Sequence, residues 1–193
     1  MKRIAFLAVV LLGTGVFAQT PPVKVRGTIV SLDGDTLTVK SKDGTEKKIE
    51  LAKDAQVAVA QKTSLSEIKP GTYVGSTAVK GPDGKLVARE VHTIPPQAPA
   101  GHMPWDTESG ATMTNANLTG VAKATGGDEI TLQYKDGEQK IVVPKGTPIL
   151  TFTPADRAAL KKGETIFTMA REQDGKLTTQ RVQVSKDGVK PAH

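Results

Sequence analysis

The chain has 193 residues, 26 basic against 20 acidic side chains, 37% hydrophobic residues and no cysteine. The missing cysteine excludes a disulfide framework, a thiol nucleophile and a thiolate metal site; the balance of apolar and charged residues excludes an acidic disordered tail and a membrane-embedded bundle. A net charge of +6 spread along the chain suits solubility and is no footprint of nucleic acid.

The chain opens with Lys2 and Arg3, followed by an apolar run of 14 residues from Ile4 to Phe17, and Val16-Phe17-Ala18 reads as a small-x-small cleavage site. This predicts a signal peptide over residues 1–18, cut after Ala18. The run is shorter than the roughly 20 residues of a membrane-spanning helix, and no cysteine follows for lipid attachment. The expected product is a periplasmic chain of 175 residues with 24 basic and 20 acidic side chains and no membrane span after cleavage.

A duplication organises the rest of the chain. Residues 34–44 read GDTLTVKSKDG and residues 127–137 read GDEITLQYKDG, an offset of 93 that also carries Gly27 onto Gly120. Ile68-Lys69-Pro70-Gly71 returns as Leu160-Lys161-Lys162-Gly163, and Asp83-Gly84-Lys85-Leu86 as Asp174-Gly175-Lys176-Leu177. Two units result, 23–93 and 115–185, too few for a solenoid.

Within the first unit the apolar period is two: Val25, Gly27 and Ile29, then Leu37 and Val39, then Ile49 and Leu51, which predicts three strands. Asp43-Gly44, and Asp136-Gly137 in the second unit, read as hairpin dipeptides in which glycine supplies a positive φ. Ser64–Lys69 is helix-like and ends at Pro70-Gly71, with Leu65 and Ile68 inward; its counterpart, 154–160, turns Leu160 inward. Strands over Thr72–Val79 and Leu86–Thr93 complete the unit, repeated as Thr165–Arg171 and Leu177–Val184. Such strands have one wet face, so each unit is expected to curl into its own small antiparallel barrel that removes exposed edges. The predicted class is all-β: two tandem OB-like β-barrels, each with one short helix. A flatter β-sandwich stays open, because strand order is not readable from one sequence. Residues 94–114, with four prolines in the first half, are expected to form a stiff linker, and residues 186–193 a flexible tail.

The segments GTIVSLDGDTLTVKSKDG, HMPWDTESGATMTNA and SEIKPGTYVG resemble a group of uncharacterised exported bacterial proteins with tandem OB-like domains of unknown function. The resemblance covers nearly all of the expected mature chain and implies fold more than function; it brings no catalytic residues. Some members of that group carry the label of a metal-transporter permease, which one apolar run does not support.

The linker holds the only tryptophan, in His102-Met103-Pro104-Trp105-Asp106. Trp105, with Asp106 beside it, reads either as a contact for a ligand or partner or as an anchor that pins the linker between the modules. His92, His102 and Met103 are weak candidates for a soft metal such as copper, with Met113 as a further donor; no HxH or HxxxH spacing supports them. His92 also reads as a solvent-exposed strand end, and His193 as tail. The aromatics Tyr73, Trp105, Tyr134, Phe152 and Phe167 are too few for a base-stacking platform, so no nucleic acid is expected. Asp33, Asp35, Asp43, Asp83, Asp128, Asp136 and Asp174 lie beside glycine or at turns and read as turn chemistry; Asp33-Gly34-Asp35 lacks the ligand count of a calcium loop. The sequence therefore suggests a non-enzymatic binding protein with no cofactor, taking a small ligand or an envelope partner on a barrel face or in the inter-module groove. The alternative is a metal-binding or delivery protein.

Overall fold

The computed structural model describes residues 21–191, so the expected signal peptide and His193 lie outside the described residues. The fold is all-β, with twelve strands among these residues: β1 (Val23–Asp33), β2 (Thr36–Lys40), β3 (Glu46–Lys62), β4 (Tyr73–Lys80), β5 (Leu86–Thr93), β6 (Gly101–Pro104), β7 (Thr112–Ala124), β8 (Gly127–Tyr134), β9 (Gly137–Pro144), β10 (Ile149–Ala155), β11 (Thr165–Gln173) and β12 (Lys176–Val184). The two helix-like segments are single 3-10 turns, Leu65–Glu67 and Arg157–Ala159. At the first of these, the Glu67 carboxylate accepts from the Ser64 backbone N–H and the Thr63 hydroxyl, a capping arrangement too short to nucleate an α-helix.

Strand pairing corrects the expected domain boundaries. β1 pairs with β2, β2 with β3, β3 in parallel with β12, β12 with β11, and β11 back with β1. That closes one five-membered ring. A second closes through β7, β8, β9, then β5 in parallel, then β4 and back to β7. Units 23–93 and 115–185 are thus not folding units: each gives three strands to one ring and two to the other. The cores agree, since Val25, Ile29, Leu37, Val39 and Ile49 pack with Ile166, Ala170, Val182 and Val184. Val74, Ala88 and Val91 pack instead with Leu118, Ile130, Leu132 and Ile141.

The physical cause of the exchange is the length of β3. After pairing with β2 it runs on without a break, and residues Val57–Lys62 pair antiparallel with β10. This extension carries the chain out of its own ring before the first 3-10 turn, so β4 begins at the other ring. Leu150 faces Lys62 and Pro154 faces Ala58; at the offset of 92 that carries Ile68 onto Leu160, Leu150 is the repeat counterpart of Ala58 and Pro154 that of Lys62. The crossing is therefore isologous, as at a two-fold axis, although both strands belong to one chain. The alternating run Val57-Ala58-Val59-Ala60 carries this signal, beyond the strand that the apolar period places at Ile49 and Leu51.

Other expectations shift locally. Gly27 stands opposite Ile166 where Ala116 stands opposite Val74, so the structural counterpart of Gly27 is Ala116 and not Gly120. The β7–β8 hairpin is four residues longer than β1–β2, and the sequence match slides along it. Gly44 has the positive φ expected of its hairpin, 86°, whereas Gly137 begins β9 without one; the Asp174-Gly175 turn, with φ of 52° and 74°, also enters the left-handed region. The linker is folded: β6 pairs with β7, the Tyr73 hydroxyl donates to the Ala98 carbonyl, and Asn115 Nδ2 donates to the Pro99 carbonyl. The tail also folds back, as far as the described residues go: Lys186 and Val189 exchange backbone hydrogen bonds and Pro191 is buried. No helix among the described residues is long and apolar enough to cross a membrane.

Candidate functional site

The strand register builds the site. On β5, β4 and β7, Val91, Val74 and Ala116 point into one ring's core. Because side chains alternate along a strand, His92, Gly75 and Asn115 point outward, in one row across the sheet with Gly101 of β6. The next row is Glu90, Thr77, Met113 and Met103. On the other ring, Ile166, Ala170, Val182 and Val184 point inward, leaving Phe167, Met169, Arg181 and Gln183 on the outside, with Lys24 and Arg26 of β1 beside them.

These two outward faces enclose a cavity of about 390 Å³ between the rings, within the usual range for small-molecule sites. His92, Met113 and Asn115 line it from one ring. Phe167, Met169, Arg181 and Gln183 line it from the other, and the linker covers it with Ile94, Pro95, Met103 and Trp105. Trp105 packs against Phe167 with ring centroids 6.4 Å apart, under the Lys24 ammonium at 3.6 Å from its ring centre. Asp106 fixes this arrangement: it accepts two hydrogen bonds from Arg26, at 2.9 and 3.1 Å, and one from Lys24 at 3.3 Å. Burial opposes ionisation of Asp106, but the Arg26 and Lys24 contacts prevail and hold its carboxyl below the ordinary 3.8. Its carboxylate is thus engaged within the fold, positioning Trp105.

His92 is 5% exposed, and so is not a solvent-exposed strand end. Phe152 of β10 meets its ring edge-on, with centroids 6.2 Å apart and planes at 82°. Its Nδ1 lies 2.9 Å from Oε1 of Glu90, itself 8% exposed. The approach is close but not aligned as a hydrogen bond, and both atoms lack any aligned protein partner. Nε2 leans over Gly75, only 2.6 Å from where a Cβ would stand there, with Asn115 Oδ1 at 3.1 Å from the same point. Glycine at 75 is what leaves the imidazole room.

Among the described residues, five buried side-chain polar atoms lack an aligned protein partner, and four of them belong to these facing surfaces: Arg26 Nε, Glu90 Oε1, His92 Nδ1 and Gln183 Oε1. Buried polar groups are paired almost everywhere in folded proteins, and this concentration sets the seam apart from the rest of the described residues.

The candidate trio from sequence is split. Met103 shares the cavity with His92, but His102 faces the other way, with Nδ1 2.8 Å from the Thr114 hydroxyl. Burial, then the nearby Lys80 charge, lowers the His102 pKa below 6.5. In its place the fold brings in Met113, directly across from Met103, and Met169, which no sequence pattern singles out. No group of three or more histidine, cysteine or acidic residues suited to a metal exists among the described residues, so any metal held here would depend on thioethers. The turn aspartates are occupied by the fold: Asp43 and Asp83 accept backbone N–H groups of Thr45 and Lys85, Asp33 accepts from Ser31, and Asp35 holds Arg157.

No family model, no curated protein and no solved structure matches the chain.

Proposed function

We propose that the chain is an exported, non-enzymatic binding protein in which two OB-type barrels, completed by exchanged strands, hold a small ligand between them. The ring order, with one parallel closure between the third and last strands of each barrel, supports the OB-type reading. The observation that carries the function is the seam itself: an apolar wall of Trp105, Phe167 and Ile94 set against buried polar atoms of His92 and Gln183 that lack aligned partners. Apolar area supplies affinity and a few placed polar groups supply orientation.

Internal comparison of the two barrels favours a ligand over mere packing. His92 and Gln183 occupy equivalent places, as do Glu90 and Arg181, Gly75 and Phe167, and Met113 and Lys24. Inward positions keep small or apolar side chains in both halves, with uncharged Ser76, Thr114 and Thr168 among them, whereas the facing surfaces differ in charge, size and chemistry. The seam is one asymmetric site and not two copies of a structural contact.

Trp105 is the only tryptophan and serves as reporter. Titration of the mature protein with a neutral naphthylamine probe should quench Trp105 emission and raise probe fluorescence. Phe167→Ala should weaken both responses. A probe that binds wild type and Phe167→Ala equally places binding elsewhere and refutes the cavity. Export is tested by the mass of the secreted form, expected to begin at Gln19.

A further inference from the structure

All three methionines of the described residues, Met103, Met113 and Met169, line this one cavity, together with the only tryptophan and His92. They come from three strands, β6, β7 and β11, so no local sequence pattern accounts for the convergence. Met103 and Met113 are direct cross-strand partners, a spacing of about 5 Å between Cβ atoms that lets two thioethers reach a common point. His92 lies one row along the same face. Met113 is 4% exposed, while Met169 at 41% sits on the rim.

The histidine is set up in a particular way. Glu90 stands against Nδ1 at 2.9 Å, leaving Nε2 over Gly75 on the cavity side. Ligating imidazoles commonly have a carboxylate at the non-ligating nitrogen, which fixes the ring and raises its basicity. Thioether sulfur is a soft, uncharged donor that selects monovalent copper over zinc, calcium or magnesium. The equivalent places on the other barrel carry Lys24 for Met113 and Gln183 for His92, so the donor set exists on one side of the seam only.

From these observations we propose that the cavity is a binding site for a soft monovalent metal ion, Cu(I) or Ag(I), with His92 Nε2, Met103 and Met113 as donors, Met169 at the entrance and Trp105 as the lid. The proposal rests on the reading of the cavity as a ligand site and names its ligand class. No electron transfer is involved, because the ion binds in the oxidation state in which it arrives.

The experiment uses the full mature protein, kept anaerobic with a reductant, and competes it for Cu(I) against a colorimetric chelator; Ag(I) serves as the redox-inert check by Trp105 quenching. Met103→Leu/Met113→Leu keeps side-chain volume and removes both sulfurs. It should weaken Cu(I) binding by about 100-fold, with the thermal midpoint unchanged. His92→Gln, which installs the residue of the other barrel, should weaken Cu(I) binding at least as much, and Glu90→Gln by about 10-fold. Wild type that takes no Cu(I) from the chelator overturns the proposal, as does a Leu variant that binds like wild type. If the probe binds and copper does not, the metal assignment fails while the cavity reading stands; if neither binds, both fail.

Discussion

Gly75→Ala tests whether His92 is placed by the absence of a neighbour's side chain. The added Cβ would stand 2.6 Å from His92 Nε2, 2.9 Å from its Cε1 and 3.1 Å from Asn115 Oδ1, so the imidazole has to move. It is hemmed in by Phe152 and Glu90, and a forced shift in a packed setting costs about 1–3 kcal/mol. Against this, alanine in a strand interior gains about 0.5–1 kcal/mol over glycine. The net loss should be about 1–2 kcal/mol, which for a chain of this length lowers the thermal midpoint by about 2–8 °C. In a His92→Ala background only the 3.1 Å approach to the Asn115 side chain remains, and Gly75→Ala should become close to neutral. Urea unfolding of the four proteins closes the cycle, with an expected coupling of about 1–2 kcal/mol. Equal effects of Gly75→Ala in both backgrounds, within about 0.5 kcal/mol, would refute the reasoning.

Trp105→Ala removes the ring that Phe167 and Lys24 pack upon and should cost about 2 kcal/mol in urea unfolding; unchanged stability together with lost probe binding would make Trp105 a ligand contact alone. Asp106 has a lowered folded pKa, so its contribution is present above the ordinary 3.8 and disappears as pH falls through the folded value. Thermal midpoints should therefore decline more below about pH 4 in wild type than in Asp106→Asn. The half-exposed Asp106 cluster is worth no more than about 1 kcal/mol at neutral pH. His102 should titrate below 6.5 by NMR, and Lys80→Ala should raise its pKa only in part, because burial is the larger cause.

Much of this fold was legible because period-two alternation and turn aspartates are local properties. Leu37, Val39, Ile130 and Leu132 point inward as the alternation requires, and Asp43 and Asp83 tie their turns. Partnership between strands is not local. Nothing in Val74 or Ile166 says which of β7 and β1 it will sit beside, since the two copies have similar alternation and apolar content. The site was half legible for the same reason. Trp105 and Met103 stood out by rarity, but Gly75 and Glu90 matter only through what register puts next to His92, and Phe167 and Met169 reach the seam only through the exchange. His102 misled because sequence proximity to Met103 implied a shared face, whereas adjacent residues on β6 point opposite ways.

The exchange makes its own prediction about the separated halves. Residues 21–98 contain β1 to β5, so under the tandem expectation they would fold as a monomer. With exchange, β1, β2 and β3 form an open sheet whose apolar face (Val25, Ile29, Leu37, Val39, Ile49) is left without β11 and β12. Open edges over an exposed apolar face seek another chain. The crossing of β3 with β10 pairs repeat counterparts at matching registers, so two copies of the half can cross through their own Val57–Lys62 segments in the same way. The isolated half should therefore sediment as a dimer, or stay unfolded until residues 99–191 are added and a one-to-one complex forms. A well-folded monomeric half, with cooperative unfolding independent of protein concentration, would show that β4 and β5 readily close on their own ring. In that event the exchanged pairing would follow from the linker between the units, and not from the reach of β3.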